Sequence, residues 1–505
     1  MTDMLCISRE ECCKEAPDCL RDLDLLGFLE GIIQKETHWD LAPWFYTPLQ
    51  NTDQVRFRQE ILKDLQKGDN LNIWDRFTDR ICSLAQREQE EAEDLHSGEP
   101  WRCHDLLYGR ILADGEDYVL AVSELEKKLL GMELCSQGLK QAEAYIQELV
   151  SSADFLDLSA RQSSLRREMD GIQYIMQIRY GVIRVKKYEG EPDIAEQIAA
   201  AFQKFQGEDQ KDYRQTLKEE PYADHVEAAV LRCLSRLWPR EFEDLQDYAV
   251  AWVRHIPGAL LKLCRELRFY VDWLRAIGPM ADWGLPFCYP TLGEDRAWAR
   301  QIYDLALANR IGSAVVRNDM DLEPGERTLV ITGPNQGGKT TFARALGQVH
   351  YLASLGLSVP GTGAELQLPD RVLTHFPREE TEVKGSGRLR EELLRLGELL
   401  DCATDRSLLI LNEIFSSTNA EEGLELGEDL LRRLEQKGTM TVLVTFLSEL
   451  AGPGRVSMVS GVDPLDPARR TFRLDRRPPE NLTYAMTLAR KYDLTYEQIQ
   501  RRLKP

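Results

Sequence analysis

The stretch Gly333-Pro334-Asn335-Gln336-Gly337-Gly338-Lys339-Thr340 decides how this chain is read. It follows the apolar run Thr328-Leu329-Val330-Ile331 and precedes a helical pattern that begins Thr341-Phe342-Ala343-Arg344-Ala345-Leu346. A strand that delivers the chain into a Gly-rich turn, from which a helix starts, is a P-loop in its structural setting. The backbone N–H groups of the turn surround phosphates, and the helix points its positive end at them. Gly333, Gly337 and Gly338 permit that close approach. Lys339 is placed to reach the β- and γ-phosphates, and the Thr340 hydroxyl to sit on Mg²⁺. Spacing, lysine and flanking elements agree, so a chance Gly-rich turn explains the stretch poorly. The candidate binding residues are Gly333, Pro334, Asn335, Gln336, Gly337, Gly338, Lys339, Thr340 and Thr341, and the expected ligands are a nucleoside triphosphate and Mg²⁺.

A second motif stands further along, at Ser407-Leu408-Leu409-Ile410-Leu411-Asn412-Glu413. An apolar strand ending in Asp-Glu is the usual companion of a P-loop: the Asp helps to hold the metal and the Glu orients or activates water. Asn412 occupies the Asp position, and an amide offers an oxygen without a full negative charge. Thr340 and Asn412 are the candidate metal ligands. Glu413 and Lys339 are the candidate catalytic residues.

The chain has 505 residues, 43% hydrophobic and 29% charged, which excludes disorder and predicts two or three domains rather than one core. No apolar stretch approaches the length of a bilayer span, and the acidic start lacks a signal-peptide pattern, so a cytoplasmic protein without a membrane partner is expected. The 11 cysteines are scattered, as reduced thiols are. Cys6, Cys12, Cys13 and Cys19 cluster without C-x-x-C pairing, which favours free thiols over zinc. A formal net charge of −21 weighs against nucleic-acid binding unless basic residues gather on one surface.

The texture changes near residue 290. Before it, from about Leu20 to Leu285, helical periodicity dominates, broken by a β-like run at Val182–Pro192. After it, strands are expected at Thr328–Thr332, Arg371–His375, Ser407–Leu411, Thr441–Thr445 and Thr471–Leu474. Helices are expected at Thr341–Leu355, Leu389–Cys402 and Ala420–Lys437, with a closing pair at Tyr484–Lys491 and Thr495–Leu503. The fold class is a multidomain protein with a mostly α-helical region followed by an α/β P-loop domain. Its expected divisions are an arm at 1–20, a helical region at 21–290 with a small insertion near 182–222, and the α/β domain at 291–505.

Taken with Tyr351-Leu352-Ala353-Ser354-Leu355-Gly356-Leu357-Ser358-Val359-Pro360 and Asp370-Arg371-Val372-Leu373-Thr374-His375-Phe376, the loop sequence resembles the ATPase domain of the MutS family of DNA mismatch-repair proteins. Asn318-Asp319 resembles the entry to that domain, Tyr46-Thr47-Pro48-Leu49 with Arg58-Gln59 the family's helical core, and Tyr484–Leu503 its helix-turn-helix dimerisation tail. The resemblance implies an ABC-type ATPase domain, ATP as the nucleotide, a core and lever region at 21–290, DNA as a partner and a homodimer with shared sites. It also implies that Ser386, within Lys384–Glu391, donates to a neighbour's phosphate; a plain capping role fits that serine equally well.

Several residues depart from the family pattern. Phe446 stands where the family has His, and Phe cannot donate a hydrogen bond to a phosphate or water. The aromatic residue expected near Val315, against adenine, reads as aliphatic. The loop Phe415-Ser416-Ser417-Thr418-Asn419-Ala420 is recast. The core-like segment starts at Leu23, which leaves no room for the family's N-terminal mispair reader. These departures predict ATP binding with slow hydrolysis, the nucleotide acting as a switch on a clamp that recognises DNA form. Lys186, Lys187, Arg166, Arg167 and Lys211 are candidate phosphate contacts, although solvated surface explains each of them as well. The alternative is a nucleotide-gated scaffold for a protein or RNA–protein partner, which the acidic charge favours.

Overall fold

The computed structural model describes residues 13–479 apart from 37, 97–103, 180–181, 192–224, 253–254, 294–295, 378–387, 417 and 464–468, together with 496 and 500. Cys6, Cys12, Lys211 and Ser386 lie outside the described residues, as does the closing helix pair apart from Tyr496 and Gln500. The chain forms two compact units that interleave in sequence. The first takes in Met1–Leu71, Leu134–Lys140 and Arg265–Pro505, and the second takes in Asn72–Glu133 and Gln141–Cys264.

The first unit is built on a six-stranded sheet. Its strand order is Val372–His375, Leu408–Asn412, Met440–Val444, Thr328–Thr332, Val456–Val462 and Arg470–Arg476. All neighbours are parallel except the last pair. Thr328–Thr332, Leu408–Asn412 and Met440–Val444 are buried at every position. That is why they read as continuous apolar runs rather than alternating ones: a parallel strand in mid-sheet has both faces covered. Helices Lys339–Ser354, Arg388–Cys402 and Ala420–Lys437 connect the strands. The last begins at Asn419, whose side chain accepts from Glu422 N, and stops at Gly438 with φ +75°, a side-chain cap at one end and a left-handed glycine at the other.

A second sheet, in the order Thr291–Leu292, Gly363–Leu366, Ala297–Ile302 and Asn318–Leu322, belongs to the same unit. The short helices before residue 71 also pack here, against helix Lys339–Ser354. Arg344 Nε donates to Asp22 O at 2.9 Å, Gln348 Nε2 to Leu23 O at 2.8 Å and Tyr351 OH to Phe45 O at 2.8 Å. A Cβ on Gly347 would lie 2.3 Å from Leu23 Cδ2, so this glycine is what lets the N-terminal segment approach. The helix that carries Lys339 and Thr340 is thereby held along one face by the N-terminal segment.

The second unit is helical, with His104–Leu129 packed on Ala153–Asp170 and Pro239–Trp252. Tyr118, Phe155, Tyr248, Trp252 and His255 form its aromatic centre. The β-like run is the second strand of an antiparallel hairpin, Tyr174–Arg179 with Val182–Lys187. Among the described residues no helix is long and apolar enough to cross a membrane.

Candidate nucleotide site

Between strand Thr328–Thr332 and helix Lys339–Ser354 the chain turns through Gly333 at φ +125°, Gln336 at +57° and Gly338 at +90°. Gly333 and Gly337 press on one residue of the neighbouring strand. A Cβ on Gly333 would lie 2.9 Å from Ser460 Cβ, and one on Gly337 would lie 2.2 Å from Ser460 Oγ. Ser460 Oγ donates to Gly337 O at 2.6 Å, so the wall that demands the glycines also anchors the turn. The loop leads into a 16-residue helix whose first turn holds Lys339, Thr340 and Thr341. The amides at such a helix start favour an anion.

Lys339 is 4% exposed. Its Nζ donates to Gly333 O at 3.0 Å and Pro334 O at 3.1 Å, and it lies 4.2 Å from the centre of the Phe446 ring. Burial lowers its pKa to about 8; nearby Arg470 acts in the same direction and Glu413 opposes. Phe446, which stands where a hydrogen-bond donor was expected, instead presents its ring face to the ammonium.

Thr340 Oγ1 donates to Asn412 Oδ1 at 3.0 Å, and Asn412 is 6% exposed. Two oxygens at neighbouring octahedral positions, each about 2.1 Å from Mg²⁺, stand about 3 Å apart. The pair therefore fits that ion, with one charge fewer than an aspartate would bring. Glu413 follows directly, at φ +53°, and Phe415 has φ +58°. A left-handed non-glycine residue costs about 1–2 kcal/mol, so this turn has to be held from outside. Val444 O accepts from Glu413 N at 2.8 Å, and Glu392 Oε1 accepts from Phe415 N at 2.8 Å. Glu392 also lies 3.6 Å from His375 Nε2.

Beside the loop opens a cavity of about 330 Å³. Its polar end is formed by Gln336 to Thr341 and Glu413, and its apolar end by Leu307, Ile311, Val315 and Phe472. Asp304 caps the short helix Leu305–Ile311 by accepting from Leu307 N at 3.0 Å, which sets Leu307 and Ile311 on the cavity wall. Val315 is aliphatic, and the aromatic residues that line the cavity are Tyr303, Phe342 and Phe472. Phe472, at φ +58°, is held by Asn318, whose Nδ2 donates to Phe472 O at 3.1 Å while its Oδ1 accepts from Leu474 N at 2.8 Å. From sequence Thr471–Leu474 reads as a strand without a link to the loop, because more than a hundred residues separate Phe472 from it, and Asn318 reads only as part of the domain entry.

Residues 329–459 match the family model described as MutS domain V. The protein named Endonuclease MutS2 from Gemmatimonas aurantiaca is 33% identical over 226 residues, covering 42% of this chain and 27% of that relative. Its namesake from Thermus thermophilus is 34% identical over 190 residues, covering 37% of this chain and 25% of that relative. Over these residues the chain is similar to the MutS family. It spans about a quarter of the length of the curated relatives it matches. The MutS domain V match contains Lys339, Thr340, Asn412, Glu413 and Phe446, and it stops one residue before Ser460. Ser460, Arg470 and Phe472 are thus contributions that only the structure brings into view.

The four described residues among the basic candidates for nucleic acid have intramolecular partners. Arg166 pairs with Asp170 at 3.3 Å, Arg167 Nε donates to Ser163 O at 3.0 Å, Lys186 pairs with Glu191, and Lys187 lies 4.9 Å from the Trp238 ring centre. These contacts are on or near the exposed surface and are weak enough to exchange for phosphate.

Proposed function

We propose that this protein is an ATP-binding switch of the MutS type, acting in the cytoplasm as a homodimer on branched or duplex DNA, with slow ATP hydrolysis. The observation that carries the reading is the Thr340–Asn412 oxygen pair, 3.0 Å apart at the foot of a glycine loop that ends on Lys339. In this reading the loop amides and Lys339 hold the phosphates, Thr340 and Asn412 hold Mg²⁺, and Glu413 orients water. Bound Mg²⁺ would neutralise charge on the β- and γ-phosphates. Phe446 offers no hydrogen-bond donor, and Asn412 no full charge. Losing one preorganised contact commonly costs about 10²–10³ in rate, so these two residues support slow turnover with binding retained. The apolar end of the cavity, with Phe472, suits a purine base.

DNA binding is supported by the similarity to the MutS family and opposed by the net charge of −21, which requires the contacts to be confined to patches such as the 174–187 hairpin. The nuclease activity in the relatives' name is not carried over, because the matches cover about a quarter of those proteins. Equilibrium binding of Mg·ATP to the parent and to Lys339→Ala tests the nucleotide reading. Loss of affinity in the variant is expected, and equal affinity would refute it. Retention of the parent on duplex or four-way-junction DNA at low salt, lost steeply as salt rises, is expected of the DNA reading, and no retention at any salt would refute it.

A further inference from the structure

We propose that a second cavity, between the strands Asn318–Leu322 and Arg470–Arg476, binds an organic phosphate: a phosphate ester whose body carries hydroxyl groups. The site is separate from the nucleotide reading above and does not depend on it. The cavity has a volume of about 610 Å³, and small-molecule sites occupy roughly 300–1,000 Å³. Each of the two strands is the last of its own sheet, so the groove between them is not closed by a backbone ladder. The pairing of Val456–Val462 with Arg470–Arg476 slips between Ser460 and Val462, and a slip of this kind re-aims side chains. Phe472, at φ +58°, thus lines the cavity beside the glycine loop, while Thr471, Arg473 and Leu474 line the second one.

The floor of this cavity is apolar, since Val315, Met320, Met458 and Leu474 are all buried. Its charged lining is four arginines and three aspartates, net positive on a chain of formal charge −21. Two of the arginines are neutralised: Arg300 pairs with Asp321 at 2.6 Å, and Arg476 pairs with Glu326 at 2.5 Å. The other two are not. Arg317 donates to Gln301 Oε1 at 3.4 Å and to Gly284 O at 3.2 Å, both neutral oxygens. The Arg473 guanidinium has no partner among the described residues, and neither has the Asp475 carboxylate. Guanidinium bonds to a phosphate oxygen with charge on both sides, which a neutral carbonyl cannot match. Asp475 stands two residues from Arg473, on the same face of the strand. An ionised carboxylate only accepts, so it repels a bare phosphate and takes hydroxyl donors. Asp319, which accepts from Gln301 N at 2.7 Å, has the same preference. The lining therefore selects a phosphate joined to a hydroxylated body over the free ion, a chemistry that sugar phosphates and nucleoside monophosphates share.

The test titrates ribose 5-phosphate, AMP and inorganic phosphate into the full-length parent, Arg473→Gln, Arg317→Gln and Asp475→Ala, with a saturating non-hydrolysable Mg·ATP analogue in every arm to keep the loop cavity out of the reading. Ribose 5-phosphate or AMP is expected to bind the parent with a Kd of about 1 mM or tighter, and each arginine variant to weaken it about tenfold. Asp475→Ala is expected to weaken ribose 5-phosphate about threefold and to leave inorganic phosphate no weaker, a split that general damage to the strand would not produce. AMP tighter than ribose 5-phosphate assigns the site to nucleoside monophosphates, and equal affinities assign it to sugar phosphates. No binding of either up to about 10 mM, or arginine variants that bind like the parent, would overturn the proposal, as would inorganic phosphate binding as tightly as both esters. The ribose 5-phosphate arm stands whether or not the loop cavity takes ATP, so failure of this site and failure of the nucleotide reading are told apart.

Discussion

Raising the pH through the Lys339 titration should weaken ATP binding, and the structure sets how far. Lys339 is buried, and its pKa is lowered to about 8 mainly by that burial. Phosphates favour the charged lysine, so its pKa in the complex lies well above that in the free protein. The sign follows from linkage: below the free-protein pKa the lysine is already charged, and above it each binding event must also take up a proton. At about pH 7.5 roughly three-quarters of the free protein carries the charge, and at about pH 9 roughly a tenth, so affinity should fall roughly eightfold over that interval. Titration calorimetry with Mg·ATP at both pH values, in buffers of different ionisation enthalpy, measures the affinity and the proton uptake together. Uptake should approach one proton at the higher pH. Lys339→Arg keeps its charge throughout and should show no such fall, whatever its absolute affinity. A parent affinity that stays flat to about pH 9, with no proton uptake, would refute the buried, partly neutral lysine.

Three further outcomes follow from named contacts. Gly337→Ala should abolish detectable ATP binding, because its Cβ would meet Ser460 Oγ at 2.2 Å and the backbone Pro334 O at 2.9 Å, and a variant that binds ATP like the parent would contradict these contacts. Glu392→Ala should slow phosphate release about tenfold with ATP affinity little changed, since Phe415 N loses its acceptor and the strained turn after Glu413 relaxes; Glu392→Gln should stay close to the parent, and equal behaviour of the two variants would count against the account. In the second unit, burial and then Asp114 push the Glu91 carboxyl up to about 8. The unfolded chain loses that proton near the ordinary carboxylate pKa, so stability from this group is lost as pH rises toward 8. Glu91→Gln should then raise stability at about pH 8 by ~1–3 kcal/mol and flatten the slope of melting temperature against pH, and an unchanged slope would refute it.

The sheet was legible where its physics is local. Thr328–Thr332 and Ala420–Lys437 fall where the sequence placed them, because a buried parallel strand and a capped amphipathic helix each leave a pattern in consecutive residues. Val456–Val462 was missed, since Gly461 and the serines Ser457 and Ser460 dilute its apolar character. Those small residues are there for the site: Ser460 is the wall of the glycine loop. The second sheet escaped because its strands are short and come from separate parts of the chain. The composition change near residue 290 did not reveal that the helices before residue 71 pack with the α/β sheet; Asp22, Leu23 and Phe45 contribute backbone carbonyls, which no side-chain pattern records. Within the candidate site, Lys339, Thr340, Asn412 and Glu413 are readable as motifs. Phe472 is not, because an edge strand more than a hundred residues away becomes part of a pocket only through folding.

The central claim is that this site holds ATP and releases its energy slowly. The direct measurement follows bound nucleotide and free phosphate in one sample of the parent protein with Mg·ATP, beside the double variant Asn412→Asp with Phe446→His. The account predicts that ATP stays bound to the parent with phosphate appearing at roughly 10⁻² s⁻¹ or slower, and that the double variant is at least about tenfold faster. A parent that binds no ATP, or one that turns it over as fast as the double variant, would contradict it.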